Sequence, residues 1–261
     1  ASANKRDLAQ NIFAPFGPGT PPGAGVEIHT RNFTNLGSVG FRAEATKVLA
    51  KDVITYGADF FRDQSANTDS SQTTVIGFGP PRPSSNTRTQ VPNASLQSFG
   101  LFVQNDLRLH DQFSVILGGR YQHVRSEPNA TAGRTDPLNS HSNSTGVYAA
   151  NAIWRATPAL SVVATVGRGF RSPNLVERYF DGPTPEGSAY QSAAPDLKPE
   201  QSVNLDGGLK YRAGRVNAEA FLFENNISDA IQTQATGAKV GTLPGYTNVN
   251  IGKLRTRGAE A

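Results

Sequence analysis

The 261 residues contain no cysteine. That removes disulfide scaffolds, cysteine-zinc sites and thiol nucleophiles together. Long hydrophobic runs are missing too. Stretches such as Ser161 to Val166 fall far short of the roughly 20 residues a spanning helix needs. With 37% hydrophobic residues and a mean hydropathy of −0.41, the chain holds no helical membrane protein. Neither charge sign dominates: 25 Lys and Arg against 21 Asp and Glu leave +4. These charges are scattered, whereas a nucleic-acid-binding protein gathers its basic residues on one face. Ala1 to Arg6 has no apolar signal-peptide core. The 26 Gly and 17 Pro are too few to mark low-complexity disorder, and the length suits one large domain or two ordinary ones.

Signals for catalysis are also missing. No G-x-S-x-G elbow and no H-E-x-x-H zinc motif occurs. Gly167-Arg168-Gly169 opens like a dinucleotide fingerprint, but its last position is Ser172 and no helix pattern follows. Glu44, Asp59, Asp106, Asp206 and Glu219 could be drawn as acid–base pairs. They lie on polar rows beside Arg42, Arg108, Arg120 and Lys210, the pattern of a water-facing wall laced with opposite charges. His29, His110, His123 and His141 show no ligand spacing, and Asp63, Asn67 and Asp69 lack the EF-hand pattern. Glycosylation sequons at Asn32, Asn93, Asn129, Asn143 and Asn226 fall in segments rich enough in Asn, Ser and Thr to produce them by chance. The expectation is a non-enzyme with no catalytic residue, metal or cofactor.

What is present is period-2 alternation. Eight segments carry it: Ser38 to Val48, Val53 to Arg62, Gln97 to Leu109, Phe113 to Val124, Gly146 to Ala156, Leu160 to Gly169, Ser202 to Tyr211 and Arg215 to Asn225. A ninth begins near Gly252. No stretch shows comparable 3.6-residue spacing, so the chain reads as all-β. Short connections (Leu49 to Asp52, His110 to Gln112, Thr157 to Ala159, Arg212 to Gly214) alternate with long ones (Gln64 to Leu96, Arg125 to Thr145, Phe170 to Gln201, Asn226 to Ile251). The first 36 residues look like the end of a further long connection. All 17 prolines fall outside the eight segments, and only Pro158 sits in a short turn. An up-and-down sheet would place every long loop at one end and every tight turn at the other.

Soluble sandwich strands run about 5–6 residues. The segments here are closer to the roughly 9–11 that cross a bilayer at a tilt. In Ser202 to Tyr211 one face reads Val203, Leu205, Gly207, Leu209, Tyr211 and the other Ser202, Asn204, Asp206, Gly208, Lys210. Tyr148, Ala150, Ala152 and Trp154 form an apolar row with an aromatic near each end, where interfacial girdles sit. A large soluble sheet with one buried face would alternate too, but strand length and loop asymmetry favour a membrane barrel. Arg42, Glu44, Asp106, Arg108, Arg120, Asp206 and Lys210 should then share the lumen face. Phe41, Tyr56, Leu101, Leu117, Tyr148, Trp154, Val162 and Leu205 should be exposed outside.

The third long connection is the most specific. Gly169-Phe170-Arg171-Ser172-Pro173-Asn174-Leu175 through Glu177 and Tyr179, then Ala194-Pro195-Asp196-Leu197-Lys198-Pro199-Glu200-Gln201-Ser202, resembles the paired "FRAP" and "NPDLKPE" boxes of TonB-dependent outer-membrane receptors. Phe102 to Asp106 is similar to that family's "FVQDE" strand, Leu117 to Tyr121 to its "LGLRY", and Phe223 to Ile231 to its "FYNDISDLI". Tyr246 to Asn248 with Arg257-Gly258-Ala259-Glu260 is similar to "Y-x-N … RGVE". The ordered matches run from about Gln97 to Ala261.

The resemblance implies an antiparallel up-and-down transmembrane β-barrel around an amino-terminal plug. The whole chain, 1–261, would be an internal part of the barrel of about nine meander strands, with no plug, signal peptide or terminal strand of its own. It would form an open, curved sheet with Ser38 to Val48 and Gly252 to Ala261 near the edges. Function would be uptake of a scarce nutrient across the bacterial outer membrane, with outer-membrane lipid and the TonB energy-transducing complex as partners. An iron–siderophore complex ranks first, with haem, cobalamin or an oligosaccharide behind it. Haem receptors of this family carry a His between the boxes, and Arg171 to Ala193 contains none. Arg171, Arg178, Tyr179, Phe180 and Tyr190 are the candidate ligand contacts, with loop packing as the competing role. A plug-free porin or adhesin, or a soluble all-β binding module or glycosidase, are the rival readings.

Overall fold

The computed structural model describes residues 2–86, 89–135, 138–184 and 188–261, and among these 13 strands join in one sheet. In chain order they are β1 (Ser2–Pro15), β2 (Gly25–Val48), β3 (Asp52–Ile76), β4 (Arg82–Asn86), β5 (Ala94–His110), β6 (Phe113–Pro128), β7 (His141–Arg155), β8 (Leu160–Arg171), β9 (Gly182–Pro183), β10 (Tyr190–Ser192), β11 (Glu200–Ala213), β12 (Val216–Val240) and β13 (Leu243–Glu260). The helix α1 (Leu175–Tyr179) lies between β8 and β9. The long strands form an antiparallel meander in chain order. One pairing departs from it: β10 runs parallel to β13 and carries β9 antiparallel on its other side.

The two ends differ as the loop lengths predict. At one end the tight turns touch each other, Arg108 N–H donating to Lys51 O at 3.0 Å and Arg155 N–H to Gln112 O at 2.7 Å. At the other end the long connections meet. Asn93 N–H donates to Thr131 Oγ1 at 2.8 Å, and Gln90 Nε2 to Pro183 O at 2.9 Å.

Directly paired residues share a face, so register assigns both faces. One row runs Glu44–Gly57–Phe102–Arg120–Val147 and another Asp106–Ile116–Asn151–Thr165–Asp206. Steps of two from these rows put all seven expected charges on the same face. Arg120 forks onto Asp59 there at 2.6 and 2.7 Å. The opposite face carries the row Leu117–Ala150–Val166–Leu205. Phe41 is 67% exposed and Trp154 51%, with Tyr56, Leu101, Leu117, Tyr148 and Leu205 exposed beside them. Val162, expected among them, is half-buried. The long loops fold over the polar face, where Asn248 Nδ2 donates to Glu177 O at 2.9 Å. The apolar face is left bare, as a lipid-facing surface must be.

Aromatic rings on the polar face are accommodated by glycine. A Cβ at Gly57 would stand 2.3 Å from Ala43 O and 2.7 Å from Phe102 Cζ, so the Phe102 ring lies over Gly57 where no side chain fits.

Several strands are longer than the alternation predicts. β2 has 24 residues, β3 and β12 have 25 each, and β1 replaces part of the expected amino-terminal loop. The stretch Asn226 to Ile251, expected as a long connection, is the outer part of a β12–β13 hairpin that turns at Gly241 (φ 61°). The reason is physical: above the membrane both faces see water, so no apolar row marks the strand. Polar cross-strand pairs hold these extensions, such as His29 Nδ1 with Asn11 Oδ1 at 2.7 Å and Arg31 Nη2 with Asp7 Oδ2 at 2.6 Å.

The sheet is open. β1 covers β2 from Gly25 to Ser38, and among the described residues Val39–Val48 have no strand partner on that side. Among the described residues neither β1 nor β2 pairs with β12 or β13.

Candidate functional site

The two boxes between β8 and β11 are brought together by one arginine. Arg171 ends β8 opposite Glu200, the first residue of β11. Its Nε donates to Glu200 Oε2 at 2.5 Å, and its Nη1 to both oxygens of Glu177 at 2.9 Å. Glu177 caps α1 in return. Asn174 accepts the Glu177 N–H and donates its own N–H to the Glu177 carboxylate, both at 2.8 Å, a reciprocal capping box. The other Glu200 oxygen accepts the Ile231 N–H of β12 at 2.7 Å. The Arg171 hydrogen bond holds the Glu200 carboxyl below its usual range, and the Glu200 and Glu177 carboxylates hold Arg171 above its own.

β13 closes the knot. Asn250 exchanges two hydrogen bonds with the Lys198 backbone, at 2.8 and 2.9 Å, and donates to Asp229 O at 2.7 Å. Asp229 has a left-handed φ of 54°, a conformation Asp tolerates better than most residues. Asn248 accepts from Thr233 Oγ1 at 2.8 Å while bonding Glu177 O. Four separate sequence motifs therefore converge on one latch that pins the loop over the polar face.

Most residues singled out from sequence belong to that latch. Pro173 is fully buried and Leu197 nearly so. Pro195 O accepts from Arg178 Nη1, Asp196 is exposed 3.7 Å from His141 Nε2, and Phe170 pairs in register with Gln201, just after Pro199-Glu200. Arg178 and Tyr179 are 1% and 0% exposed, which removes their side chains from solvent. Burial lowers the Arg178 pKa and raises that of Tyr179. The Tyr179 hydroxyl donates to Asn139 O at 3.0 Å, and Phe180 caps α1, half-buried. Tyr190 stands apart: half-buried, it donates to Asp181 Oδ1 at 3.1 Å and faces open space.

That space is a cavity of about 400 Å³ at the loop end, where β1–β3 rise above the apolar belt. Leu8, Ile12, Asn32, Asp69, Gln90 and Tyr190 line it. Asp69 accepts the Gln90 N–H at 2.7 Å, and burial pushes its carboxyl up against the pull of that bond. Sequence reading missed this wall because β1 and the outer half of β3 carry no alternation. Among the described residues no group of three or more His, Cys, Asp or Glu is placed to hold a metal ion.

The family model described as "TonB dependent receptor-like, beta-barrel" matches residues 3–261. The chain belongs to the TonB-dependent receptor family. Its membrane is the bacterial outer membrane, and the family is one of receptors and transporters. An iron-regulated outer membrane virulence protein of Vibrio cholerae serotype O1 is 31% identical over 183 residues, covering 67% of this chain and 25% of its own length. Heme/hemopexin utilization protein C of Haemophilus influenzae is 22% identical over 242 residues, 85% of this chain and 32% of its own. This stretch of TonB-dependent receptor thus spans a quarter to a third of those relatives. Among solved structures, the copper transporter OprC superposes with a TM-score of 0.64 at 17% identity, over 98% of this chain and 38% of its own, a likeness of fold.

Proposed function

We propose that these residues form part of the barrel of a receptor that takes up a scarce nutrient, an iron–siderophore complex first, with energy delivered by the TonB complex to a plug outside this stretch. The cavity beneath the latched loop carries the reading. Its volume lies in the range of small-molecule sites, and it sets Leu8, Ile12, Ile28 and Leu243 beside many polar side chains, among them Thr30, Asn32, Asp69 and Gln90. Such a lining suits a chelate rich in carbonyl, hydroxyl and amide groups. In this reading Tyr190 is the ligand contact, while Arg171, Arg178, Tyr179 and Phe180 frame the site.

Haem is disfavoured by the buried, hydrogen-bonded Tyr179, whose raised pKa opposes the tyrosinate that would ligate iron. A plug, and further strands to close the barrel, are supported by the open edges, the charged inner face and the share of the relatives' length spanned.

The test is uptake of labelled ferric siderophores and of haem by cells carrying the full-length receptor. Ferric-chelate uptake should stop when a protonophore is added while surface binding persists. Tyr190→Ala should weaken chelate binding about five- to tenfold, the loss of one hydrogen bond and its packing. Haem uptake without chelate uptake overturns the siderophore reading.

A further inference from the structure

The cavity beneath the latched loop carries charge of one sign. One wall is the lumen-side face continued above the membrane. Steps of two from Glu44 and Gly57 reach the row Leu8–Asn32–Asp69, and further out lies Ile12–Ile28–Thr73. Among the described residues that line the cavity there are two carboxylates, Asp69 and Asp181, and no Lys, Arg or His. Asp69 Oδ2 accepts the Gln90 N–H, while its other oxygen has no donor or cation partner among the described residues. Of the surrounding cations, Arg6 is in register with Thr34, one row nearer the membrane. Arg134 lies behind Gln90, where it donates to the Thr89 and Gln90 carbonyls at 3.3 and 2.7 Å.

We infer that this cavity receives the protonated amine arm of a ferric chelate, its ammonium on Asp69 and its methylene stem along Leu8, Ile12 and Ile28, an assignment that rests on the siderophore reading above. A half-buried carboxylate without a counter-charge is costly. Burial already pushes the Asp69 carboxyl up, and a cation in the cavity relieves that cost. An ammonium brings only donors. It suits the open Asp69 oxygen, with the Asn32 side chain directly across the strand pair and Thr30 one row further out on the same face. The methylene stem accounts for the aliphatic side chains that share this wall, and the volume of about 400 Å³ has room for such an arm. A chelate rich in carboxylate would instead set like charge against Asp69 and Asp181, a juxtaposition that suppresses wrong partners. The cavity therefore selects by charge as well as by shape.

The test is equilibrium binding to the purified full-length receptor, read by quenching of its intrinsic fluorescence. Two probes differ in one group: ferrioxamine B, a trihydroxamate chelate with a free ammonium, and its N-acetylated form. Ferric citrate is the anionic probe. Wild type should bind the ammonium form at least about tenfold more tightly than the acetylated one. Asp69→Asn keeps an oxygen for the Gln90 N–H. Shown folded by its heat-modifiable migration, this variant should bring the two affinities within about twofold of each other. Equal binding of the two forms by wild type overturns the inference, and so does an undiminished preference in Asp69→Asn. Failure to bind either trihydroxamate overturns it too; the siderophore reading then stands if ferric citrate binds and falls if the receptor takes up haem alone.

Discussion

Replacing Glu200 with Gln tests whether the box residues act as a latch. The side chain keeps its size and an oxygen for the Ile231 N–H, but the charge facing Arg171 is lost. A charge-assisted hydrogen bond contributes about 1.5–3 kcal/mol when shielded. Arg171 is 44% exposed and Glu200 18%, and Glu177 still holds the guanidinium, so screening trims the net effect to about 1–2 kcal/mol. Local opening of the loop should then be about five- to thirtyfold more frequent. Hydrogen exchange at the Ile231 amide in the full-length receptor reads this directly. The pH dependence has a fixed sign. Because Arg171 depresses the folded Glu200 pKa, the contribution is fully present above the unfolded value of about 4.3 and is lost as pH falls through the folded one. Exchange, corrected for intrinsic chemistry, should be flat from about pH 8 to 5 and accelerate below about pH 4 in wild type. Unchanged Ile231 exchange in Glu200→Gln would refute the latch.

Two further pairs of substitutions probe the sheet. Leu117→Arg places a cation on the lipid side and should lower folding stability in vesicles by about 2–4 kcal/mol, whereas Asp106→Arg on the polar face should cost less than about 1 kcal/mol; urea titration followed by gel mobility compares them. Gly57→Val has no room between Ala43 O and Phe102 and should cost about 1–3 kcal/mol in the same titration, with Gly119→Val, which meets nothing within 4 Å, as the tolerated control.

The membrane-level part of the fold is legible in sequence because lipid on one side and water on the other force a period of two. Phe113 to Val124 and Ser202 to Tyr211 show this alternation and lie within strands of the sheet. Where both faces meet water the signal vanishes, so β1 and the stretch Gln64 to Ile76 read as loop although they are strand. The helix α1 was legible in principle: Asn174 followed three residues later by Glu177 is a capping-box spacing. The boxes pointed to the right place and left their role open. Arg171 draws the eye as a loop cation, but only the register shows that Glu200 stands opposite it. The cavity wall was beyond reach, because Leu8, Asp69 and Tyr190 are joined by topology and not by spacing.

The division of the sheet into a lipid face and a lumen face is tested most directly by site-directed quenching, which the absence of cysteine from these 261 residues makes simple. A fluorophore is attached after Leu101→Cys, Leu117→Cys or Leu205→Cys, and in parallel after Arg42→Cys, Asp106→Cys or Asp206→Cys, in full-length receptor reconstituted with spin-labelled lipid. The first three should be strongly quenched and the second three should not. Quenching of two or more of the polar-face positions as strong as that at Leu117 would contradict the assignment of the faces.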